Sequence, residues 1–339
     1  MERGAAAKRV TIRDVAALAG VSSTTVSRTL NDSPAISEAT KEKVRAACEA
    51  LNYVPDIAAR GLSSHTTNMI GVIVPDVSNP YFSALCASVE ECAAENSYQV
   101  LLTNTLHDPA LEMEAIDWML SQQVDGMIIS AYSPQSQERD TDLLGDLPCV
   151  YLGSNHGPSC SYVEVDNDLG AFEASQYLCR LGHRQIVFLG GRTGSRTLEQ
   201  RLAGYRRSML MNGLTPYEFV APESVQKLRS WCYERAEELF RGGCIPDAVI
   251  AYSDAIAMQV LAAAEKHGLR APEDFSIVGF DDISISMLPQ IHLTSVSQQK
   301  SRTGRMAVER LVAQIKDGIG QTADIVQPEL MIRSSCRKK

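Results

Sequence analysis

A group of short hydroxyl side chains followed by an arginine lies close to the amino terminus. Its members are Ser22, Ser23, Thr24, Thr25, Ser27 and Arg28. Short hydroxyl side chains let a helix approach base edges closely, and a guanidinium can donate two hydrogen bonds to guanine or hold a phosphate. The same residues also suit the solvated face of a small capped helix. Spacing alone therefore leaves DNA binding and a plain capped helix as two open interpretations.

Polar and aromatic residues follow the short apolar runs of the remaining chain. These positions are 76–82, 104, 166, 190–196, 252–254 and 281–282. Carboxylates that accept hydroxyl protons, together with aromatic rings that cover sugar faces, bind polyhydroxylated ligands in proteins. An Asp or Asn after a strand is also a common helix N-cap or turn residue, and this alternative applies to Asp166 and Asp76.

Catalytic and metal chemistry find little support in the sequence. The six histidines lie apart, and GGRTG at 190–194 lacks the spacing of a dinucleotide-binding GxGxxG motif. The nine cysteines include no CxxC pair, which favours reduced structural thiols over a disulfide or zinc framework. We therefore expect no catalytic residue, no metal and no cofactor.

Three short helices would position this group of hydroxyl side chains. Thr11 and Asp14 form a variant of the capping box, and Gly20 stands where the first helix would end in a left-handed turn. A second helix is predicted at Ser23–Leu30 and a third after Ser37. Two short helices joined by a turn that contains Gly, and packed on a third, are the helix-turn-helix plan.

From residue 69 onward, short apolar runs alternate with amphipathic helices. The predicted strands are MIGVIVP, YQVLLTN, DGMIIS, LPCVYLG, 162–165, QIVFLGG, DAVIAYS and FSIVGFDD. The predicted helices span 82–96, 110–122, 167–181, 198–212, 233–241 and 255–267. The chain is thus predicted to be a small all-α headpiece followed by an α/β body. Because the pattern restarts near residue 165, we expect two doubly wound parallel-sheet subdomains with a ligand cleft between them.

Charge is distributed unevenly along the 339 residues. The chain carries 32 Lys and Arg against 41 Asp and Glu, a formal net charge of −9. Residues 1–65 hold nine basic and seven acidic residues, so the remainder carries −11. A mildly basic end on an acidic body is compatible with contact to nucleic acid through that end alone.

Targeting signals are not apparent in the sequence. No apolar run approaches the roughly 18 residues of a membrane span. The amino-terminal stretch MERGAAAKRVTIRD has no apolar core of the kind found in a secretory signal. We therefore expect a cytoplasmic protein without membrane contact.

Residues 10 to about 62 resemble the headpiece of the LacI family of bacterial regulators. The segments VTIRDVAALAGVSSTTVSRTLN and ISEATKEKVRAACEALNYVPDIAARGLSS match it without a gap, including the AGVS turn and the LNYVP exit. The resemblance implies DNA contacts at Thr11, Ser22, Ser23, Thr24, Thr25, Ser27, Arg28, Asn31, Tyr53, Ala59 and Leu62. Among these, Ser23, Thr24 and Arg28 fall on the positions that read the major groove.

By the same resemblance, residues 56–62 correspond to the hinge helix that enters the minor groove as a pair. Leu62 takes the place of the leucine wedge that kinks the DNA. Because Gly61 weakens the helix that PDIAARGL would form, this segment should be marginal in isolation and form when paired on DNA. The alternative for Leu62 is an apolar linker residue that covers the next domain.

The rest of the chain resembles the LacI-family effector domain, which is similar to periplasmic sugar-binding proteins. The matching motifs are VIVPDVSNPYFS, VDNDLGA, GHRQIVFLGG, RLAGYRRSM, APEDFSIVGFDDI and LTSVSQQ. The resemblance implies effector contacts at Tyr81, Phe82, Asp166, Arg201, Asp254 and Asp281.

This chain departs from the family pattern near the expected ligand. The common Asn-Asp pair is Ser253-Asp254 here, and a frequent Gly is replaced by Met258, so the effector could differ from the common hexoses. Arg192 and Arg196 add positive charge to the loop 192–196. We include Arg196 among the candidate effector contacts, because this charge would favour a sugar acid unless the loop is simply solvated.

The combined expectation is a sequence-specific transcriptional regulator, most simply a repressor, that binds double-stranded operator DNA under the control of a small-molecule effector. A sugar or sugar derivative is the first choice of effector. The alternatives are a nucleobase or other non-sugar co-repressor, and a sugar-binding protein without DNA function.

The predicted domains are a headpiece at 1–55, a hinge and linker at 56–65, and an effector and dimerisation domain at 66–339. The predicted subdomains are about 66–163 with 294–322, and 164–293 with the C-terminal segment. No heptad-patterned tail follows LMIRSSC, so a homodimer is expected.

Overall fold

The structure, a computed structural model, divides the chain into two units. The described residues are 10–30, 33–53, 66–130, 143–154, 160–225, 227–242 and 245–339. Contacts within the chain separate an amino-terminal unit, Met1–Thr67, from a second unit, Asn68–Lys339. Each unit contains hydrophobic core of its own.

The amino-terminal unit is the predicted helical headpiece. Its helices are α1 (Ile12–Ala19), α2 (Ser23–Leu30) and α3 (Glu38–Ala50). The Asp14 carboxylate accepts hydrogen bonds from the Thr11 backbone N at 2.8 Å and from its Oγ1 at 2.7 Å, which fixes the start of α1. Gly20 ends α1 with a φ of 65°, a conformation that glycine adopts without strain. The core receives one fully buried valine from each helix: Val15, Val26 and Val44.

The second unit alternates strands and helices along its length. Its strands are β1 (Met69–Val74), β2 (Gln99–Asn104), β3 (Gly126–Ile129), β4 (Cys149–Leu152), β5 (Ser161–Val165), β6 (Ile186–Arg192), β7 (Tyr217–Ala221), β8 (Ala248–Ala251), β9 (Ser276–Phe280), β10 (Thr294–Ser297), β11 (Ala323–Val326) and β12 (Glu329–Met331). Its helices are α4 (Pro80–Glu95), α5 (Pro109–Ser121), α6 (Asn167–Arg180), α7 (Arg196–Met211), α8 (Leu228–Arg241), α9 (Asp254–Lys266) and α10 (Lys300–Asp317), with a 3-10 helix at Ser284–Met287.

These strands form two six-stranded sheets, one in each subdomain. The first has the order β11-β5-β4-β3-β1-β2 and is parallel throughout. The second has the order β12-β10-β9-β8-β6-β7, and only its edge strand β12 is antiparallel. Strands such as β1, β8 and β9 are almost continuously apolar and buried, as expected for strands covered on both faces. The predicted pair of doubly wound subdomains is confirmed.

The chain passes between the two sheets three times, after β5, after β10 and after β11. The predicted subdomain boundary at residue 294 is therefore wrong. β10 pairs with β9 in the second sheet, so the chain crosses after β10 and α10 then packs on α4 of the first subdomain. The following strand β11, placed beyond 322 in the prediction, completes the first sheet beside β5.

Several elements of the body differ from the sequence-based expectation. The strands β7, β10, β11 and β12 and the helix α10 are additional, and α8 begins at Leu228 rather than near residue 233. The first turns of α8 and α10 are rich in charged and polar residues and carry little apolar periodicity. The cysteines that the structure describes are not disulfide-bonded. Within the described ranges, no helix has both the length and the apolar character to cross a membrane.

The contact between α6 and α7 depends on a glycine. A Cβ added at Gly204 would lie 2.0 Å from the Asp168 carbonyl oxygen and 2.9 Å from the Phe172 backbone N. We expect Gly204→Ala to lower the free energy of unfolding by about 1–3 kcal/mol, because the helices must separate to admit a methyl group. Urea denaturation measures this difference. Gly242→Ala is the matched control, since its nearest neighbour would be the Glu238 carbonyl oxygen at 3.7 Å; equal losses in both variants would contradict the prediction.

Candidate functional site

The outer side of α2 carries groups predicted to contact DNA. Ser22 Oγ accepts a hydrogen bond from the Thr25 backbone N at 3.1 Å and lies 2.9 Å from Thr25 Oγ1, so these two residues cap the start of the helix. Thr24 and Arg28 are exposed and lie four residues apart on one helix face. Thr24 and Arg28 are therefore the residues of α2 best placed to reach a binding partner.

The other predicted DNA contacts differ in their exposure. Ser23 and Ser27 are half-buried on α2. Thr11 is exposed at the start of α1, where its backbone N and its hydroxyl both donate to the Asp14 carboxylate. Tyr53 packs against the headpiece core. The remaining predicted contacts, Asn31, Ala59 and Leu62, lie outside the described residues.

Exposed positive charge is spread over all three headpiece helices. Arg13 on α1, Arg28 on α2 and Lys43 on α3 are exposed. Lys41 is different, because its side chain is only 8% exposed and its Nζ pairs with Glu38 Oε1 at 3.0 Å. Arg13, Arg28 and Lys43 are thus accessible to an anionic polymer, whereas Lys41 is not.

A cavity of about 610 Å³ lies between the two subdomains of the second unit. Its lining begins where strands of both sheets end: residues 75–82 follow β1, Arg192 ends β6, Tyr252 follows β8 and Asp281 follows β9. Open parallel sheets place their ligand sites at these carboxyl ends. The volume falls within the range of about 300–1,000 Å³ that is usual for small-molecule pockets.

Arg201 on α7 supplies a buried positive charge to this cavity. The residue is 3% exposed. Its guanidinium carbon lies 3.6 Å from the ring centroid of Phe280 and 4.8 Å from that of Tyr252. Its Nε donates to Asn167 Oδ1 at 2.9 Å and its Nη1 donates to the Tyr252 carbonyl oxygen at 2.5 Å. Aromatic faces and hydrogen bonds together hold the guanidinium in one orientation.

A buried network of polar side chains joins Arg201 to the first crossover between the sheets. Asn167 Nδ2 donates to Ser154 Oγ at 3.1 Å and to the Val165 carbonyl oxygen at 3.0 Å. Ser154 Oγ donates to Gln200 Oε1 at 2.5 Å. Gln200 Nε2 in turn donates to Glu164 Oε1 at 2.5 Å. Because β4 and β5 belong to one sheet and α7 to the other subdomain, the network spans both.

Asp281 supplies a buried carboxyl group that faces the same cavity. Burial raises its pKa to about 7, although the nearby Arg201 charge acts in the opposite direction. Its Oδ1 accepts a hydrogen bond from Gln298 Nε2 at 2.5 Å. Lys300 Nζ donates to its carbonyl oxygen at 2.6 Å and to that of Asp282 at 2.7 Å. The second crossover, which carries Gln298 and Lys300, thus fixes both the side chain and the backbone of Asp281.

Tyr81 and Phe82 form the aromatic part of the cavity on the first subdomain. Their rings are 5.0 Å apart at 74°, an edge-to-face pair. Asn79 caps α4 by accepting a hydrogen bond from the Tyr81 backbone N at 3.1 Å, and Pro80 occupies the first turn. Burial and the nearby Asp281 raise the pKa of Tyr81, so its hydroxyl stays protonated and can donate.

Three of the predicted effector contacts do not line the cavity. Asp166 caps α6 by accepting from the Leu169 backbone N at 2.9 Å. Arg196, the first residue of α7, is half-buried and lies outside the cavity lining. Its neighbours Arg192, at the end of β6, and Thr197, on α7, line the cavity instead. The third, Asp254, lies behind the cavity and has a positioning role.

Asp254 is fully buried and serves the loop that carries Asp281. Its carboxylate accepts hydrogen bonds from the Ile283 backbone N at 2.9 Å, from Ser286 Oγ at 2.6 Å and from Ser295 Oγ at 2.6 Å. Burial raises its pKa to about 6, whereas these three donors act to lower it. Tyr81, Phe82, Arg201 and Asp281 are thus the predicted contacts that the fold brings together around the cavity.

Sequence reasoning missed two polar residues that organise the site. Asn167 lies one residue after the predicted Asp166, and Gln298 lies within the motif LTSVSQQ. Both line the cavity. Both residues lie directly at a crossover between the sheets, and this position could have indicated them. The pattern of strands and helices, however, does not locate a crossover to a single residue. Among the residues that the structure describes, no group of three His, Cys, Asp or Glu is arranged to hold a metal ion.

Two family profiles and a set of named relatives match the chain. Residues 11–56 match "Bacterial regulatory proteins, lacI family", and residues 175–336 match "Periplasmic binding protein-like domain". The HTH-type transcriptional repressor PurR of Haemophilus influenzae (strain PittEE) is 33% identical over 338 residues, which covers 96% of this chain and 98% of the relative. The repressor of the same name from Photobacterium profundum is 31% identical over 335 residues, covering 96% and 98%.

Solved structures of similar proteins extend over almost the whole chain. The Lac repressor dimer bound to operator and the anti-inducer ONPF superimposes with a TM-score of 0.86 at 26% identity, covering 97% of this chain and 100% of that chain. A complex of the transcriptional regulator CelR with cellobiose superimposes with a TM-score of 0.70 at 28% identity, covering 96% and 100%.

The raised pKa of Asp281 predicts a pH dependence of stability. An unfolded Asp titrates near pH 3.9, whereas burial raises the pKa of Asp281 to about 7. The folded protein therefore holds this proton more tightly, and the associated stability is lost as the pH rises through about 7. Because Asn cannot ionise, the variant Asp281→Asn should not share this loss. We expect its free energy of unfolding, relative to that of the wild type, to be higher at about pH 8 than at about pH 5. Urea denaturation of the ligand-free proteins measures this, and a difference that is the same at both pH values would contradict it.

Proposed function

The chain belongs to the LacI family of bacterial regulatory proteins, and on that premise we propose that a sugar or sugar derivative in the cleft controls its binding to operator DNA. Its named relatives are transcriptional repressors and not enzymes. The protein is accordingly a DNA-binding repressor of this family.

The proposed DNA-binding surface is the outer side of α2. Thr24 and Arg28 are exposed there, and an arginine on a recognition helix can donate two hydrogen bonds to guanine in the major groove. Ser23, Ser27 and Thr11 would add contacts to the sugar-phosphate backbone or to base edges. We propose the headpiece at 1–55 and the hinge and linker at 56–65, with Ala59 and Leu62 in the minor groove. Bound in this way, the protein is associated with the nucleoid.

The proposed assembly is a homodimer. Two headpieces on one dimer would contact two half-sites of an operator, as the symmetry of helix-turn-helix regulators requires. The Lac repressor, to which this chain is similar, is a dimer in its operator-bound structure. The second subdomain also exposes three apolar side chains on and beside its 3-10 helix, Ile285, Met287 and Leu288, which suits contact with a second copy.

One observation supports the proposed sugar effector above the others. The cavity combines a fixed guanidinium, Arg201, and a carboxyl group, Asp281, with the aromatic rings of Phe82 and Tyr252. Polar groups that bond hydroxyls, next to rings that cover apolar ring faces, are the combination that a polyol requires. A similar solved regulator is a complex with cellobiose. Binding would draw the two subdomains together and disfavour the paired hinge.

The nucleobase alternative rests on the same aromatic side chains. Tyr81, Phe82 and Tyr252 offer ring faces and edges on which a planar base could stack. A nucleobase offers fewer hydroxyl groups than a sugar to the polar residues around the cavity, and for this reason we place it second.

A change in the recognition helix tests the DNA-binding proposal. We expect Arg28→Ala to weaken specific operator binding by about tenfold or more, because a base contact of this type is worth about 1–3 kcal/mol. Gel shifts at several salt concentrations, with fragments from around its own gene, measure specific and non-specific affinity.

The matched control for this experiment is Lys43→Ala, which removes one exposed positive charge from α3. Loss of a phosphate contact would weaken binding to all sequences alike, so the ratio of specific to non-specific affinity should stay constant in this variant. An unchanged ratio in Arg28→Ala would show that Arg28 does not read bases. Failure of the wild type to bind any fragment specifically would reject the proposed function.

A ligand screen tests the proposed effector. We expect sugars or sugar acids, and not nucleobases, to raise the melting temperature of the wild type, because ligand binding stabilises the folded state. Phe82→Ala should weaken the binding of the best compound by about tenfold, which corresponds to about 1.4 kcal/mol. Tyr217→Ala removes an exposed aromatic ring outside the cavity lining and should bind normally. A shift with a nucleobase alone would overturn the sugar proposal.

A further inference from the structure

The two ends of the cleft differ in charge. At the inner end, Arg201 and Asp281 lie among aromatic rings, as described above. The other ionisable lining residues are half-buried or exposed and come from both subdomains, and we call this part of the cleft its outer end: Asp76, His107, Arg192, Glu223, Lys227 and Arg229. An effector that fills the cavity would therefore touch two chemically different regions.

Arg192 reaches the cavity because the end of β6 is irregular. The pairing of β6 with β7 shifts register between Leu189 and Arg192, and Gly190 and Gly191 have φ values of 114° and 80°. Only glycine adopts such values readily. A Cβ at Gly191 would also lie 2.4 Å from Leu198 Cδ1. The two glycines thus turn the strand so that the half-buried Arg192 lines the cleft.

Arg229 and Lys227 come from the start of α8 in the second subdomain. Arg229 Nη2 lies 3.7 Å from Asp76 Oδ2 of the first subdomain, and its side chain is 51% exposed. The Asp76 carboxylate also accepts hydrogen bonds from the Ser78 backbone N at 2.9 Å and from its Oγ at 2.6 Å. Because that carboxylate has donors of its own, the long ion pair leaves the guanidinium able to bind another anion.

The first turn of α8 adds to the positive potential. It contains no acidic residue, and its N-cap position, Lys227, forms no side-chain cap. The backbone N–H groups at a helix start favour negative charge. Leu228, Arg229 and Ser230 of this turn all line the cavity.

His107 does not add a charge to the outer end at neutral pH. Burial lowers its pKa, and the nearby guanidinium groups of Arg192 and Arg229 lower it further, whereas Asp76 acts in the opposite direction. The outer end then has three cations, Arg192, Lys227 and Arg229, against the two carboxylates. The chain from residue 66 onward has a net charge of −11, so this region reverses the sign of the surrounding protein.

We propose that the effector carries an oxyanion, a phosphate or a carboxylate, which Arg192 and Arg229 bind at the outer end of the cleft with Lys227 beside them. The uncharged, hydroxyl-bearing part of the effector contacts Arg201, Asp281 and the aromatic rings at the inner end. The effector class is therefore a sugar phosphate or a sugar acid. This inference rests on the proposed function, because it assigns the ligand class of the same cleft.

Fragments test the oxyanion subsite without knowledge of the sugar. Orthophosphate and acetate are titrated into the full chain by calorimetry at constant ionic strength, with chloride as the reference anion. We expect the wild type to bind orthophosphate, acetate or both at millimolar concentration; preference for one distinguishes a phosphate from a carboxylate effector. The double variant Arg192→Met with Arg229→Met keeps an unbranched, somewhat shorter side chain at each position but removes both charges, and should lose at least about tenfold in affinity.

Arg196→Met is the matched control, because Arg196 lies only four residues after Arg192 but outside the cavity lining. It should bind the anions as the wild type does. Circular dichroism checks that all three proteins are folded. No binding of either anion by the wild type, or equal weakening in Arg196→Met and in the double variant, overturns the inference.

A second readout separates this inference from the proposed function. Operator binding by the same proteins is measured by gel shift. A wild type that binds operator and neutral sugars but neither anion overturns the oxyanion subsite and leaves the proposed function standing. A wild type that binds the anions through Arg192 and Arg229 but binds no operator supports the subsite and rejects the proposed function.

Discussion

The burial of the Arg201 guanidinium constrains the whole cleft, because a buried charge is tolerated only when it is paired and hydrogen-bonded. The rings of Phe280 and Tyr252 lie against it, and Asn167 Oδ1 and the Tyr252 carbonyl oxygen accept hydrogen bonds from it. Asp281 lies close enough for the two charges to influence each other. The positions of these partners are therefore constrained together, and they come from β8, β9 and the first crossover.

The same constraint links the two subdomains. Asn167 cannot accept from Arg201 in this geometry unless its own amide group is held, and Ser154, Gln200 and the Val165 carbonyl hold it. At the second crossover, Gln298 and Lys300 fix Asp281 in a similar way. Polar networks of this kind are stable only when every member is satisfied. A ligand that displaces Arg201 or Asp281 therefore acts directly on the segments that join the subdomains.

The sequence predicted the fold and part of the candidate site. Alternating strands and helices were sufficient for two parallel sheets, and the motifs around Tyr81, Arg201 and Asp281 located residues that line the cavity. The rule that polar residues after a strand face the ligand was wrong for Asp166 and Asp254. A residue at a strand end can face the cleft, the next helix or the loop behind it, and the spacing is the same in all three cases. That choice depends on partners distant in the chain, such as Ser286 and Ser295 for Asp254.

The separate hydrophobic cores of the two units have an evolutionary consequence. Val15, Val26 and Val44 belong to a core cluster of headpiece residues, and the lining of the cleft that the structure describes comes from residues beyond 67. Substitutions on α2 can thus change the target sequence while the chemistry of the cleft stays the same, and the reverse holds for the cleft. Gene duplication followed by recombination near the boundary would generate new pairings of signal and target without redesign of either core.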